Sequence, residues 1–561
     1  MYHPVNRNHD VSMEAAVRRE KVIMNETAPI NPVTRMDYPD PDVIRVGDIY
    51  YMVSTTMYFM PGCEILRSYD LIHWEHAAYV YDLLDSTPAQ RLEDEHNIYG
   101  RGMWAASLRY HDGIFYVCFV ANDTHKTYLY RSRDIRGPWT KSEIRGFYHD
   151  NSILFDDDGR IFIVYGNREI RLTELDSDLS GPKKGGIDRV ILKDRDDAHL
   201  GFEGAHFYKI DGRYYLFMIH IPKAAGRRTQ CCYTADDING EFSGGDVLND
   251  DMGYHNMGVA QGGIVDTPDG RWYSMLFQDS GAVGRIPVLV PVSFREGVKS
   301  DGGNESTTGA VTMDAPFPVF GHDGKVPEIF DVPDNRPGYE YIPLVGSDDF
   351  KSGGAKEGDA DSFGFLSRWQ FNHEPDLLLV EHDKERGRVT LKTDRIAVNL
   401  VQAVNTLTQR TVYPGCSARV TIDASDLREG DYAGLCLLES EYAFIGVTRR
   451  DSGLNLVMAK HVLKTDSIWG ERNDGDPAEE IETIPCSGDS VTLCARVKFE
   501  DMKDEGRFGF YEDGAERPFG EKVKLRFRLD HFTGVRFGLF IFSTKEAGGS
   551  AAFSDFVYVP A

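Results

Sequence analysis

Five short segments repeat one form along the first half of the chain, and they constrain its fold more than any other feature. They are VGDIYYMVST around Gly47, DGIFYVCFV around Gly113, DGRIFIVYG around Gly159, DGRYYLFMIH around Gly212 and DGRWYSMLFQ around Gly270. In each, the third residue after the glycine is aromatic: Tyr50, Tyr116, Phe162, Tyr215 and Tyr273. A glycine supplies the positive φ that a tight hairpin turn needs, and the run behind it has the composition of a buried strand. The glycines lie 66, 46, 53 and 58 residues apart, the length of a four-stranded blade with its loops. Radial repetition of blades protects sheet edges, so the spacing predicts a five-bladed β-propeller. SYDLIHW (68–74), SRDIRGPW (132–139) and TADDINGEF (234–242) repeat an outer strand end and turn in three of the units. The alternative at this level is a β-sandwich with Asp-Gly-rich turns.

From about residue 346 the signature stops, and VTLKT, SARVTIDA, YAFIGVT, VTLCARVKF and GLFIFS alternate without a common period. That predicts a separate β-sandwich, in an all-β chain. The expected organisation is an extension over 1–27, the propeller over 28–330, a linker over 331–345 and the sandwich over 346–561. DVPDNRPGYEYIPL, rich in proline and without periodicity, marks the linker. The polar, glycine-rich stretch 300–313 reads as an exposed loop.

Charge and composition narrow the function. With 62 basic and 89 acidic residues the net charge is −27. Such a surface repels phosphate backbones and anionic lipid, so neither nucleic acid nor membrane is an expected partner. No apolar run approaches the roughly 18 residues of a spanning helix, and the N-terminal residues show no export signal, which predicts a cytoplasmic protein. Eight cysteines without CxxC spacing read as buried thiols rather than a disulfide framework or zinc site. P-loop, HExxH and GxSxG motifs are absent.

If the hairpins are equivalent, a fixed offset before each glycine marks equivalent places beside the central channel. Nine residues back lie Trp104, Asp150, Glu203 and Gln261; in the first unit Asp40 lies seven back. Asp40 sits in YPDPD, stiffened by two prolines, and Glu203 in GFEGAHF, an unusual setting for a solvated acid. Each carboxylate also has a plainer reading: a turn cap for Asp40, a turn residue for Asp150, a structural ion pair for Glu203. Carboxylates converging on an aromatic-lined channel are what glycoside hydrolysis requires: a protonated acid, an ionised base and flat rings for sugar faces.

NPVTRMDYPDPDVIRVGDIYYM, RGMWAASLRYHDGIFY, HDNSILFDDDGR, FEGAHFYKIDGRYYLF and GAVGRIPVLVPV together resemble glycoside hydrolase family 43. DDF (348–350), LSRWQFNHEPD and NTLTQR resemble the concanavalin-like, jelly-roll sandwich of its β-xylosidase and α-L-arabinofuranosidase members. The resemblance implies an inverting, exo-acting hydrolase that removes terminal β-D-xylose or α-L-arabinofuranose from oligosaccharides derived from xylan, arabinan or xyloglucan. It implies Asp40 as general base, Glu203 as general acid and Asp150 as the residue that orients the acid and keeps its proton in place. Arg285 would bind the sugar of the deepest subsite and Trp104 would wall the pocket. Gln261 would join Trp104 and Arg285 in binding substrate, and it stands where many members carry a histidine near an ion; a neutral amide is a poor ion ligand, so no cofactor or metal is expected, a structural calcium being unsupported. An endo-arabinanase and a non-catalytic carbohydrate-binding propeller are the rival expectations.

Overall fold

A computed structural model of the chain describes residues 29–94, 96–300, 311–312, 315–351, 361–463 and 475–561. The expected N-terminal extension and most of the 300–313 loop lie outside the described residues. Five four-stranded antiparallel sheets follow one another along the chain. Blade I spans Asp42–Val46 to Glu75–Tyr81, blade II Met103–His111 to Thr140–Ile144, and blade III Ser152–Phe155 to Asp188–Lys193. Blade IV spans Leu200–Ile210 to Ser243–Leu248, and blade V Ile264–Asp266 to Phe317–Phe320. The chain is all-β: a five-bladed propeller followed by a β-sandwich.

The five repeated segments form the first hairpin of each blade. Gly47, Gly113, Gly159, Gly212 and Gly270 all have positive φ, between 67° and 83°, and a Cβ on any of them would meet nothing within 4 Å. Conformation, not space, demands glycine there. The loops are two-residue in blades I, II and IV, as the pairs Val46↔Ile49, His111↔Ile114 and Ile210↔Arg213 show. In blades III and V the turns are longer, joining Phe155↔Ile161 and Asp266↔Trp272. There the glycine amide bonds back to a carbonyl three residues earlier, Gly159 to Asp156 and Gly270 to Thr267.

The strand behind each turn is an unbroken apolar run because both faces of a blade are buried. Successive side chains of a strand point to opposite faces, so Tyr50 and Met52 pack toward blade V while Tyr51 and Val53 pack toward blade II. Leu216 and Met218 likewise face blade III and Phe217 faces blade V. Five such clusters, one in each gap between neighbouring blades, form the ring's core. Each fully buried Tyr, Phe or Met in them contributes about 1.5–3 kcal/mol. The N-terminal segment closes the circle on the Arg285–Arg295 strand of blade V. Val33 and Tyr38 donate their amides to the carbonyls of Pro287 and Arg285. The Asn31 side chain exchanges two bonds with the Leu289 backbone, each 2.8 Å.

The sandwich packs two seven-stranded sheets around one large apolar cluster. A second cluster joins the two domains: Tyr58, Phe59, Leu92, Ile98 and Tyr99 of the propeller with Leu400, Leu438, Phe444 and Phe540 of the sandwich. Residues of the expected linker lie along blade I, where Asn335 donates its amide to the Tyr69 carbonyl and the Tyr341 hydroxyl accepts the Tyr69 amide. All eight cysteines are free thiols, seven of them buried.

Candidate active site

The five positions singled out by offset occur where the innermost strands begin. Two local devices turn their side chains toward the axis. In blades I, III and V a residue two or three before the strand is left-handed: Asp40 (φ 52°), Asp150 (φ 49°) and Gln261 (φ 64°). Such backbone is uncommon outside glycine and clusters at functional sites. In blades II and IV the strand itself bulges, between Met103 and Ala106 and on either side of Glu203, which re-aims Trp104 and Glu203.

Asp40 is buried and accepts bonds from Thr55 Oγ1 at 2.7 Å and from Arg285 Nη1 at 3.0 and 3.2 Å. Arg285 lies between two rings, 5.4 Å from the Phe277 centroid and 4.5 Å from that of Phe532. Phe532 belongs to the sandwich, so the second domain supplies part of the site. Trp104 packs edge-on against Phe532 at 5.5 Å and tilts against His149 at 5.8 Å. The buried Trp104 Nε1 and Arg285 Nε have no acceptor among the described residues.

Asp150 and Glu203 lie on either side of His149. The His149 Nε2 is 3.6 Å from Asp150 Oδ2 and 3.9 Å from Glu203 Oε2, and one ligand atom from each of the three lies within 4.8 Å of the others. Glu203 also accepts a 2.5 Å bond from Asn167 Nδ2, and Asp150 accepts the Gly204 amide at 3.1 Å. Burial pushes the Asp150 carboxyl up to about 6; His149 opposes this, while the charges of Glu203 and Asp40 add to it. The Asp150 carboxylate in turn lifts His149 to about 9 against burial, with help from Glu203 and Asp40, so the imidazole is a cation at neutral pH. Arg228, ion-paired with Asp279, is pulled down to about 10 by burial and by Arg285, and it feels the charges of both Glu203 and Asp40.

Gln261 packs its side chain against Gly204, where a Cβ would stand 2.8 Å from its Cγ and Cδ. Its amide donates to Gln230 Oε1 at 2.8 Å. Among the described residues, one imidazole and two carboxylates at His149, Asp150 and Glu203 are grouped closely enough to ligate a cation. Such an ion would occupy the oxygens that bond Asn167 and the Gly204 amide, and it would face a His149 that already carries charge.

The structure thus brings Asp40, Asp150, Glu203, Trp104 and Arg285 into one cluster of neighbouring side chains. Residues 29–298 match Glycosyl hydrolases family 43, and residues 362–559 match the Beta xylosidase C-terminal Concanavalin A-like domain. The chain belongs to glycosyl hydrolases family 43. It is similar to a Beta-xylosidase of Formosa agariphila, 25% identical over 94% of this chain and 90% of that one. It is also similar to a non-reducing end alpha-L-arabinofuranosidase of Bacteroides ovatus, 25% identical over 94% and 93% of the two chains. A solved structure described as a bifunctional GH43-CE protein of Bacteroides eggerthii superposes with a TM-score of 0.82 at 38% identity. That match covers 95% of this chain and 64% of the other, so the chain spans less than two thirds of that protein's length. As a family 43 glycosidase the protein acts on carbohydrate.

His149, Asn167, Arg228, Phe277 and Phe532 are site residues that the motifs did not single out. His149 carried a signal as the direct neighbour of Asp150, and Phe277 as a residue of the fifth repeated segment. The others arrive from strand ends, a neighbouring blade or the second domain.

Proposed function

We propose that this glycosidase is exo-acting and inverting, and releases terminal β-D-xylose, α-L-arabinofuranose or both from plant-cell-wall oligosaccharides. The observation that carries the reading is the clustering of Asp40, Asp150 and Glu203 close enough to feel one another's charge, with Arg285 already paired to Asp40. Glu203 gives its proton to the glycosidic oxygen as the bond to the anomeric carbon breaks. A water attacks that carbon from the opposite face and passes its proton to Asp40, which requires the two carboxyls to stand about 6.5–9.5 Å apart. Asp150 and His149 flank the acid as a buried charge pair, and His149 supplies the positive charge there without a metal.

The exo mode draws support from Phe532, which walls the cleft from the sandwich side and favours a single terminal residue over a chain passing through. The names of the two curated relatives, a Beta-xylosidase and a non-reducing end alpha-L-arabinofuranosidase, agree with both sugars.

Proton NMR of early time points tests the proposal with aryl β-xyloside, aryl α-arabinofuranoside and xylo-oligosaccharides. The expected first product of the β-xyloside is α-xylose, and the oligosaccharides should shorten by one sugar at a time. β-Xylose as first product would overturn inversion, early mid-length fragments would overturn the exo mode, and no release from either pentoside would overturn the substrate class.

A further inference from the structure

Arg285 reaches the site on a turn that the propeller does not hold by itself. Gly281–Val283 form a 3-10 turn, and Ala282, Val283 and Ile286 pack into the sandwich core rather than between blades. The sandwich grips this turn at several points. Asp504 Oδ2 accepts the Ala282 amide at 2.7 Å, and the Val535 amide donates to the Ala282 carbonyl at 2.9 Å. Gly534 lies so close that a Cβ there would stand 2.0 Å from the Val283 carbonyl oxygen.

A carboxylate from the N-terminal segment joins both sides of this contact. Asp37 is buried, and each of its oxygens takes one backbone N–H: Oδ1 from Arg285 at 2.8 Å and Oδ2 from Gly534 at 2.9 Å. Its own carbonyl accepts Arg410 Nε of the sandwich at 3.1 Å. Arg285 and the loop carrying Phe532, two residues before Gly534, therefore share one anchor. Arg285 Nη2 also reaches the Phe532 carbonyl at 3.4 Å.

We propose that Asp37 is a positioning residue that locks the Arg285 turn of the propeller to the Phe532 loop of the sandwich, and so sets the geometry of the Arg285–Asp40 pair. The proposal rests on the reading of Asp40 and Arg285 as base and sugar-binding residue. Two convergent N–H donors need an acceptor-only group with two oxygens, which an ionised carboxylate supplies. An asparagine amide offers one oxygen and turns its NH2 toward the second donor, so one of the two backbones must move away. A shift of about 1 Å in a positioning element lowers turnover on the order of 10²-fold.

The test is a double-mutant cycle in the full chain with Asp37→Asn, Arg285→Ala and the pair. Asp37→Asn should lower kcat/KM on an aryl pentoside about 10- to 100-fold. In the Arg285→Ala background the same change should lower it less than about 3-fold, because the group it positions is gone. Losses that multiply in the double variant would overturn the proposal, since a merely structural role acts whether or not Arg285 is present. A crystal structure of Asp37→Asn is the second arm: Arg285 should leave hydrogen-bond distance of Asp40, and an unmoved Arg285 and Phe532 would overturn the idea regardless of substrate. Wild-type protein that cleaves neither pentoside sinks the functional reading alone, and the structural arm still decides this one. If Asp37→Asn does not fold, Gly534→Ala, which pushes the loop off Val283, is read by the same cycle and the same structure.

Discussion

Two layers of the propeller channel are built from the same residue types and have opposite electrostatics. At the mouth, Asp40, Asp150 and Glu203 crowd together and the Asp150 carboxyl is pushed up to about 6. Two residues beyond Asp40, at the start of the inner strand of blade I, stands Asp42, fully buried. It accepts bonds from Arg109 Nη1 at 2.7 Å, the Leu108 amide at 2.8 Å and Tyr208 Oη at 3.4 Å, and it lies 3.0 Å from His206 Nδ1. Burial pushes Asp42 up, but Arg109 and His206 outweigh it and hold the carboxyl down at about 2. Burial is common to both layers, so the difference lies in the ratio of cations to carboxylates. Where cations match the acid the channel is stabilised, and where acids outnumber them the proton affinities rise into a range useful for chemistry.

The largest effects belong to the mouth. Asp40→Asn should lower kcat/KM on the order of 10²–10⁴-fold for oligosaccharides and for dinitrophenyl glycosides alike, since an activated water is needed whatever leaves. Glu203→Gln should be as damaging on oligosaccharides, whose sugar alkoxide needs a proton, and far milder on the dinitrophenyl glycoside. Rates showing the reverse pattern would exchange the two roles.

In the lower layer the expected loss is of stability. Asp42→Asn leaves Arg109 buried without its counter-charge, and removing one partner of a buried pair costs about 3–5 kcal/mol. Urea unfolding at pH 7 should show that loss. A variant as stable as wild type would mean that the layer is held by packing alone.

The two aspartates should also have opposite pH signatures. Asp42, ordinarily near 3.8, is lowered to about 2 in the fold, so its contribution is present above pH 3.8 and is lost as pH falls toward 2. Asp150, raised from 3.8 to about 6, does the contrary: the fold loses stability as pH rises from about 4 through 6, by roughly 3 kcal/mol at most. Asp150→Asn should therefore be more stable than wild type at pH 7.5, by roughly 1–3 kcal/mol once the weakened attraction on His149 is allowed for. That gain should shrink toward zero at pH 4. A variant less stable at pH 7.5 would show that Asp150 is a structural anchor rather than a charge kept under tension.

What the sequence made legible follows from how strands transmit position. Hairpin glycines and unbroken apolar runs are imposed by turn conformation and by burial on both faces of a blade, so the five repeats could be read directly. A position fixed relative to its hairpin keeps its place on the axis, which is why Trp104, Asp150, Glu203 and Gln261 emerged at one offset. Asp40 emerged at seven because Gly47 is the first residue of its two-residue turn, where Gly113 and Gly212 are the second, and because the inner strand of blade I lacks the one-residue bulge of blades II and IV; in III and V longer turns make up the difference. Asn167 was not legible, because it ends a strand of blade III and reaches Glu203 in blade IV. Phe532 and Asp37 were invisible for the same reason on a larger scale: their roles exist only after two domains dock.

The smallest effect expected lies outside both layers and calibrates them. Gly113 occupies the first hairpin turn of blade II with φ 75°, and a Cβ there would touch nothing within 4 Å. Alanine at such a site meets no clash, so its whole effect is conformational. A left-handed backbone costs an L-residue about 1–2 kcal/mol, partly offset by the lower entropy of the unfolded chain, about 0.4–1 kcal/mol. Gly113→Ala should thus lose about 1 kcal/mol in urea unfolding, with kcat/KM unchanged, and Gly113→Asn should lose less because asparagine visits this region more readily. The result bears on the channel directly. Asp40, Asp150 and Gln261 adopt the same left-handed backbone, so the Gly113 series measures how much of any loss at the mouth comes from backbone and how much from charge. If Gly113→Ala lowers kcat/KM as far as Asp40→Asn does, the turns are coupled to the mouth through the inner strands, and the separation of the two layers fails.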